Sequence, residues 1–221
     1  MDWIALGLSL RLAAATSLTL CLVGIPLAAW VAYSRSRWRP ALEAIIALPL
    51  VLPPTVLGFF LLVGFGRSGW FGQWYSRLTG GGSLAFSFGG LWVASVLYSL
   101  PFLVQPVAAA MAGIPRRLRE AAWVLGAGRA ETFLRVVLPL AWPGIASGIV
   151  LSFAHTMGEF GVVLMVGGDI PGVTRTISIS VYDAVESLDY GLATRTALFL
   201  FVFSFLLLSA AYRLQKRVLL S

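Results

Sequence analysis

Residues 120–145 read EAAWVLGAGRAETFLRVVLPLAWPGI. This stretch is polar enough for water, yet it lies between segments so apolar that only lipid or a protein interior suits them. It predicts two short helices, Arg116 to Leu125 and Ala130 to Val137, around a turn at Gly126, Ala127 and Gly128. Glycine permits the backbone angles that a sharp turn demands. In the first helix Leu118, Ala121, Ala122 and Leu125 recur at spacings of three and four, so one face is apolar and sterically low, as close docking requires. Pro139 is expected to end the second helix, because proline lacks a backbone donor and disfavours helix in the residue before it.

Outward from this loop the composition dictates the class. The chain has 221 residues, of which 59% are hydrophobic and 11% charged, and its mean hydropathy is +0.89. Soluble domains carry about 25% charged residues, so this is an integral membrane protein. A net charge of +7 could suggest nucleic acid, but the basic residues are spread over short loops and do not interleave with aromatics on one face. The only lysine is Lys216, preceded by Gln215, so no phosphate-binding G-x-x-x-x-G-K-[ST] loop exists. One cysteine, Cys21, and one histidine, His155, exclude a Cys/His metal cluster and an internal disulfide. Nothing calls for a metal or another cofactor.

Hydropathy predicts five transmembrane helices, at about 12–33, 41–65, 89–111, 142–166 and 192–212, making one membrane domain over 1–221. The start Met1-Asp2-Trp3 lacks the basic head of a signal peptide, so the first run reads as a retained helix. Arginines crowd SRSRWR at 34–39 and the loop at 113–140, where Arg116, Arg117, Arg119, Arg129 and Arg135 fall; Arg213, Lys216 and Arg217 follow the last span. Short basic loops stay in the cytoplasm, which places the N-terminus outside and the C-terminus inside. Arg67 to Phe88 reads as an outer loop with Trp70, Trp74 and Tyr75 at the interface. It would hide a sixth segment only by re-entering the membrane, which its glycines and arginines oppose.

The second span carries Pro49, Pro53 and Pro54, and the third Pro101 and Pro106. Each frees a carbonyl that lipid cannot satisfy, so these helices are expected to be kinked and buried against protein, or to wall a transport path. The fourth span holds the only ionisable groups deep in a membrane segment, His155 and Glu159. With Gly148 and Ser152 they recur at spacings that share one helical face, and such groups turn toward protein or a wet cavity, so these four are the candidates for lining a transport path. Glu159 is expected to be held by His155, by backbone donors near Gly158 and Gly161, or by another helix; a role in gating is the alternative. Between the last spans, Ile177, Val181, Ala184, Val185 and Leu188 predict an amphipathic outer helix capped by Thr174 or Thr176. It would cover the bundle mouth or offer a contact surface outside.

The ordered pattern Glu120-Ala121-Ala122, then Gly126 and Gly128, then Leu138-Pro139, resembles the EAA loop of ABC importer permeases. PLVLPPTVLGFFLLVGFGRSG (49–69) is similar to the molybdate-type members, and HTMGEFG (155–161) resembles the Gly-Glu-Phe-Gly segment of molybdate and sulfate permeases. An arginine common there falls about where this chain has His155. The resemblance implies an all-α polytopic bundle of the type I importer kind, acting as a permease in the cell membrane and not itself an enzyme. It further implies two copies of the chain, a cytoplasmic ABC ATPase subunit in two copies docked on the coupling loop, and an extracytoplasmic oxyanion-binding protein. Molybdate is the substrate expected first, with sulfate, thiosulfate or tungstate as alternatives. An ion-coupled secondary transporter is the competitor from another class, but it would leave the coupling loop without a purpose.

Overall fold

The computed structural model describes residues 1–219, with side chains through residue 209 and at 212. Arg213, Lys216 and Arg217, expected on the inner side, lie outside the residues whose side chains are described. Every regular element among the described residues is helical. The helices are α1 (Trp3–Tyr33), α2 (Arg39–Val51), α3 (Pro54–Phe65), α4 (Trp70–Thr79), α5 (Phe88–Ala112) and α6 (Arg116–Val124). There follow α7 (Arg129–Thr132), a π-helical turn (Phe133–Val137), α8 (Leu138–Gly158), α9 (Gly161–Gly167), α10 (Ile177–Glu186) and α11 (Tyr190–Leu219).

Four of these are long and apolar enough to cross a membrane: Trp3–Tyr33, Phe88–Ala112, Arg129–Gly158 and Tyr190–Ser209. The bent pair α2 and α3 makes a fifth if it is taken as one span. At the centre α1, α5 and α8 pack together. Leu20, Ala28, Leu103, Val107, Met111, Ala141 and Ile145 form a buried cluster at the end that carries the arginine-rich loops, called here the basic end. Toward the opposite end Leu8, Leu12, Leu91, Val163 and Ile179 bring α1, α5, α9 and α10 together. Close approach of α8 to α5 depends on small residues: a Cβ on Gly148 would sit 3.0 Å from the Leu103 carbonyl oxygen. Without a hydrophobic drive between helices in lipid, such close backbone packing is what associates them.

Several expectations need correction. The first helix begins at Trp3, ahead of residue 12, because Asp2 caps it by accepting from the amides of Ile4 and Ala5 at 3.0 and 2.9 Å. The segment at 41–65 is not one kinked helix: the chain bends by 110° between α2 and α3, since Pro53 and Pro54 supply no amide to continue the ladder. Within 67–88 lies α4, closed by Gly80 at φ +67°. Pro139 does not end the second loop helix. The π-turn before it runs straight into α8, with the Leu138 amide donating to Phe133 O, and Pro139 falls in the first turn, where no donor is needed. The fourth span is broken at Glu159, whose extended backbone (ψ 132°) separates α8 from α9. On α10 the buried face is Ile177, Ile179, Ser180 and Ala184, while Val185 and Leu188 are exposed. Ile177 and Ala184 of the expected face are thus buried, and the Ile177 amide donates to Ser9 Oγ of α1 at 2.8 Å. Thr176 is its cap, accepting from Ile179 N.

Candidate functional site

The loop segment is built on α6, none of whose residues is buried. Val124 and Leu125 are 87% and 86% exposed, and Leu118 39%, so the apolar face expected from the sequence, with Val124 beside it, is largely uncovered. Its C-terminus is closed by a Schellman motif: the Ala127 amide donates to Ala122 O and the Gly126 amide to Trp123 O, both at 3.0 Å. Gly126 adopts φ +86°, which the motif requires. Gly128 has an ordinary φ of −70° and caps α7 through its carbonyl, which accepts from both the amide and the hydroxyl of Thr132 at 2.9 Å. Only one of the two glycines therefore uses the left-handed region. Ala121 is exposed and Ala122 half-buried. Glu120 accepts from Arg116 Nε at 2.6 Å in an exposed pair one turn apart, an arrangement worth a few tenths of a kcal/mol. Leu138 packs partly against the core cluster, and Pro139 is exposed.

The second group of candidates lies at the far end of α8. Gly148 and Ser152 face the packed interior, and the Ser152 hydroxyl donates to Ile149 O at 3.0 Å. His155 and Glu159 do not pair. Because the helix stops at Gly158, Glu159 leaves the face that carries His155 and reaches α5 instead, where Ser95 Oγ donates to its Oε2 at 2.8 Å. One turn along α5, Ser99 lies 3.0 Å from His155 Nδ1 and 2.9 Å from Thr156 Oγ1. Thr156 spends its proton on Ser152 O at 2.9 Å. The consistent direction is then His155 Nδ1–H to Ser99, Ser99 to Thr156, and Thr156 to Ser152, which leaves Nε2 unused. The imidazole is stacked on Phe102, with ring centroids 3.8 Å apart, and lies 4.8 Å from Tyr98.

Glu159 is 4% exposed, and its Oε1 has no hydrogen-bond partner. That is costly for a buried carboxyl unless something else completes it. The group borders a cavity of about 580 Å³ at the junction of both helix breaks, with Pro54, Thr55, Tyr98, His155 and Gly161 around it. Sequence reading missed Ser95 and Ser99. Their signal was present, two hydroxyls four residues apart on a proline-containing apolar helix, but their partners lie 64 and 56 residues away. Among the described residues no group of three or more His, Cys, Asp or Glu could hold a metal ion.

In the loop before α10 Arg175 makes two hydrogen bonds to Asp169 and lies 3.4 Å from Asp183. The Asp169 bond raises the guanidinium pKa further, so the charge is permanent.

Comparison with known proteins places the chain in a family. The chain is 51% identical over 215 residues to a molybdenum transport system permease protein of Azotobacter vinelandii, covering 97% of this chain and 95% of that protein. It is 37% identical to the corresponding permease of Escherichia coli K12, covering 84% and 81%. A probable sulfate transport system permease protein of Chlorella vulgaris is 34% identical, covering 85% and 71%. Among solved structures, a bacterial alginate ABC transporter in complex with an alginate-bound periplasmic protein superposes with a TM-score of 0.76 at 21% identity, covering 97% and 78%. The MetNI methionine ABC transporter gives 0.73 at 16% identity, covering 97% and 94%; both likenesses concern the fold. Residues 24–220 match the model of the binding-protein-dependent transport system inner membrane component family, and the chain belongs to that family of transport permeases.

Proposed function

We propose that the chain is the membrane-spanning subunit of a binding-protein-dependent ABC importer for molybdate. The observation that carries this reading is the 51% identity, over nearly the full length of both proteins, to a molybdenum transport permease. Two copies form one pathway in the cytoplasmic membrane, with the N-termini outside. Two copies of a separate ABC ATPase subunit hydrolyse ATP, and an extracytoplasmic protein delivers the oxyanion.

The coupling residues are Glu120, Ala121, Ala122, Gly126, Gly128, Leu138 and Pro139. The exposed apolar side of α6 enters the ATPase surface, and the Schellman closure keeps that helix a rigid plug. Because the helix runs unbroken over the 30 residues from Arg129 to Gly158, a push at α6 and α7 travels about 45 Å along one rod to His155 and Glu159. Differential ATPase contact in two states is what shifts the bundle between inward and outward forms. Glu159 and His155 border the path, while Gly148 and Ser152 form the seam along which α8 and α5 pack.

The test is uptake of radiolabelled molybdate in cells lacking the gene, with and without excess unlabelled sulfate. Uptake should return when the chain is restored together with its ATPase, and sulfate should compete poorly. Uptake without any ATPase would overturn the importer reading. Competition by sulfate equal to that by unlabelled molybdate would transfer the assignment to the sulfate class.

A further inference from the structure

One cavity is lined by none of the residues around Glu159 and by none of Leu118, Ala121, Ala122 and Leu125 of α6. It lies at the basic end, with a volume of about 710 Å³, where the end of α1, the start of α2, α6 and α7 meet. Five arginines line it from separate segments: Arg35, Arg39, Arg116, Arg119 and Arg129, and no carboxylate does. Two of the five are partly neutralised from outside the cavity, Arg39 by Glu43 at 2.8 Å and Arg116 by Glu120 at 2.6 Å. Arg35, Arg119 and Arg129 have no ion-pair partner among the described residues.

Arg119 is placed with unusual definition for an arginine. Its guanidinium lies 4.1 Å from the centroid of the Tyr33 ring, and Tyr33 is itself pinned by donating its hydroxyl hydrogen to Met111 O at 2.9 Å. Stacking of this kind removes side-chain freedom before any ligand arrives. The Nε of Arg119 is buried and unpartnered. A donor left in that state beside a concave field of like charge is stabilised by an acceptor carrying negative charge. The planar guanidinium matches tetrahedral oxyanions in particular, by forked hydrogen bonds.

We propose that this arginine cavity binds a phosphate-type tetrahedral oxyanion, supplied either by the headgroup of an anionic phospholipid or by a free anion in the cytosol. Bound there, the anion bridges the 34–39 loop, α6 and α7, and so holds the coupling segment against the end of α1. This is independent of the substrate assigned above, because none of the five arginines borders the cavity at Glu159.

The experiment uses the purified full-length chain. In neutral detergent, inorganic phosphate is titrated and thermal unfolding followed. In lipid discs, phosphatidylcholine alone is compared with phosphatidylcholine containing phosphatidylglycerol, with tightly held phosphatidylglycerol counted by native mass spectrometry. Protection by phosphate identifies a free anion, and protection or retention by phosphatidylglycerol alone identifies the lipid. Either effect should weaken by at least about tenfold in Arg35→Gln/Arg129→Gln, a pair of exposed side chains whose loss leaves the Tyr33 stack intact. Arg119→Gln should weaken it further, and Arg37→Gln, which stacks on Trp38 outside the cavity, should not. The proposal is overturned if neither probe protects the parent chain, or if the double variant is protected as well as the parent. It is overturned equally if the double variant binds both probes normally but loses only its hold on the ATPase; the cavity would then be a protein-docking surface.

Discussion

Gly126 and Gly128 stand two residues apart in the same turn, and the structure separates them. At both positions an added Cβ would meet nothing within 4 Å, so steric crowding is no part of the comparison. The difference lies in the backbone: φ is +86° at Gly126 and −70° at Gly128. Alanine at Gly126 should cost about 1–2 kcal/mol, the penalty of placing a Cβ in the left-handed region. At Gly128 the same change should cost nothing, or stabilise by about 0.4–1 kcal/mol through the unfolded state. A strain of 1–2 kcal/mol raises the open population of the turn about 5- to 30-fold. Arg129, exposed and immediately after the turn, supplies the assay. Trypsin cleavage there follows the open population when reclosing is fast. Gly126→Ala should accelerate cleavage by that factor and Gly128→Ala should not, with Gly126→Val worse because it is β-branched. Equal acceleration by the two alanines would refute the conformational argument, and with it the Schellman closure as the reason for glycine.

Three further outcomes are expected. Ser95→Ala removes the one side-chain partner of Glu159 and should lower stability by about 1–3 kcal/mol, whereas Glu159→Gln keeps an acceptor for Ser95 and should cost less. Identical melting of both variants and the parent would mean that the Ser95–Glu159 bond is idle. Gly148→Leu should overpack the α5–α8 crossing by about 1–3 kcal/mol, while Gly158→Ala, where a Cβ meets open space, should melt close to the parent; equal melting would contradict the close approach at Leu103. A reporter active only in the cytoplasm should work when inserted at Ser36 and fail at Gly81, and activity at Gly81 would overturn the orientation with the N-terminus outside.

Membrane character and helical class were legible from composition, because nothing else tolerates so many apolar residues with so few charges. The span at Phe88–Ala112 and the helix–turn–helix around Gly126 follow from local rules of hydropathy and capping, which neighbours in sequence settle among themselves. Family membership was legible for a related reason: the Glu120-to-Pro139 spacing is a property of the string. What local rules misjudged were the breaks. Pro53 and Pro54 divided a span that was expected only to bend, while Pro139, the expected stop, was absorbed by a π-turn and the helix ran on. The same residue type terminates or continues a helix according to whether its missing donor falls where a partner was needed, and that depends on the ladder around it. Glu159 shows the wider limit. A four-residue spacing put it on the face of His155, yet one extended residue turned it to Ser95, 64 positions away. Periodicity ranks faces on a continuous helix, but only packing in three dimensions decides where the helix ends and which distant hydroxyl a buried carboxyl meets. The five-arginine cavity has the same origin. Its charges are visible in the sequence as three separate loops, and only the tertiary fold gathers them around one space.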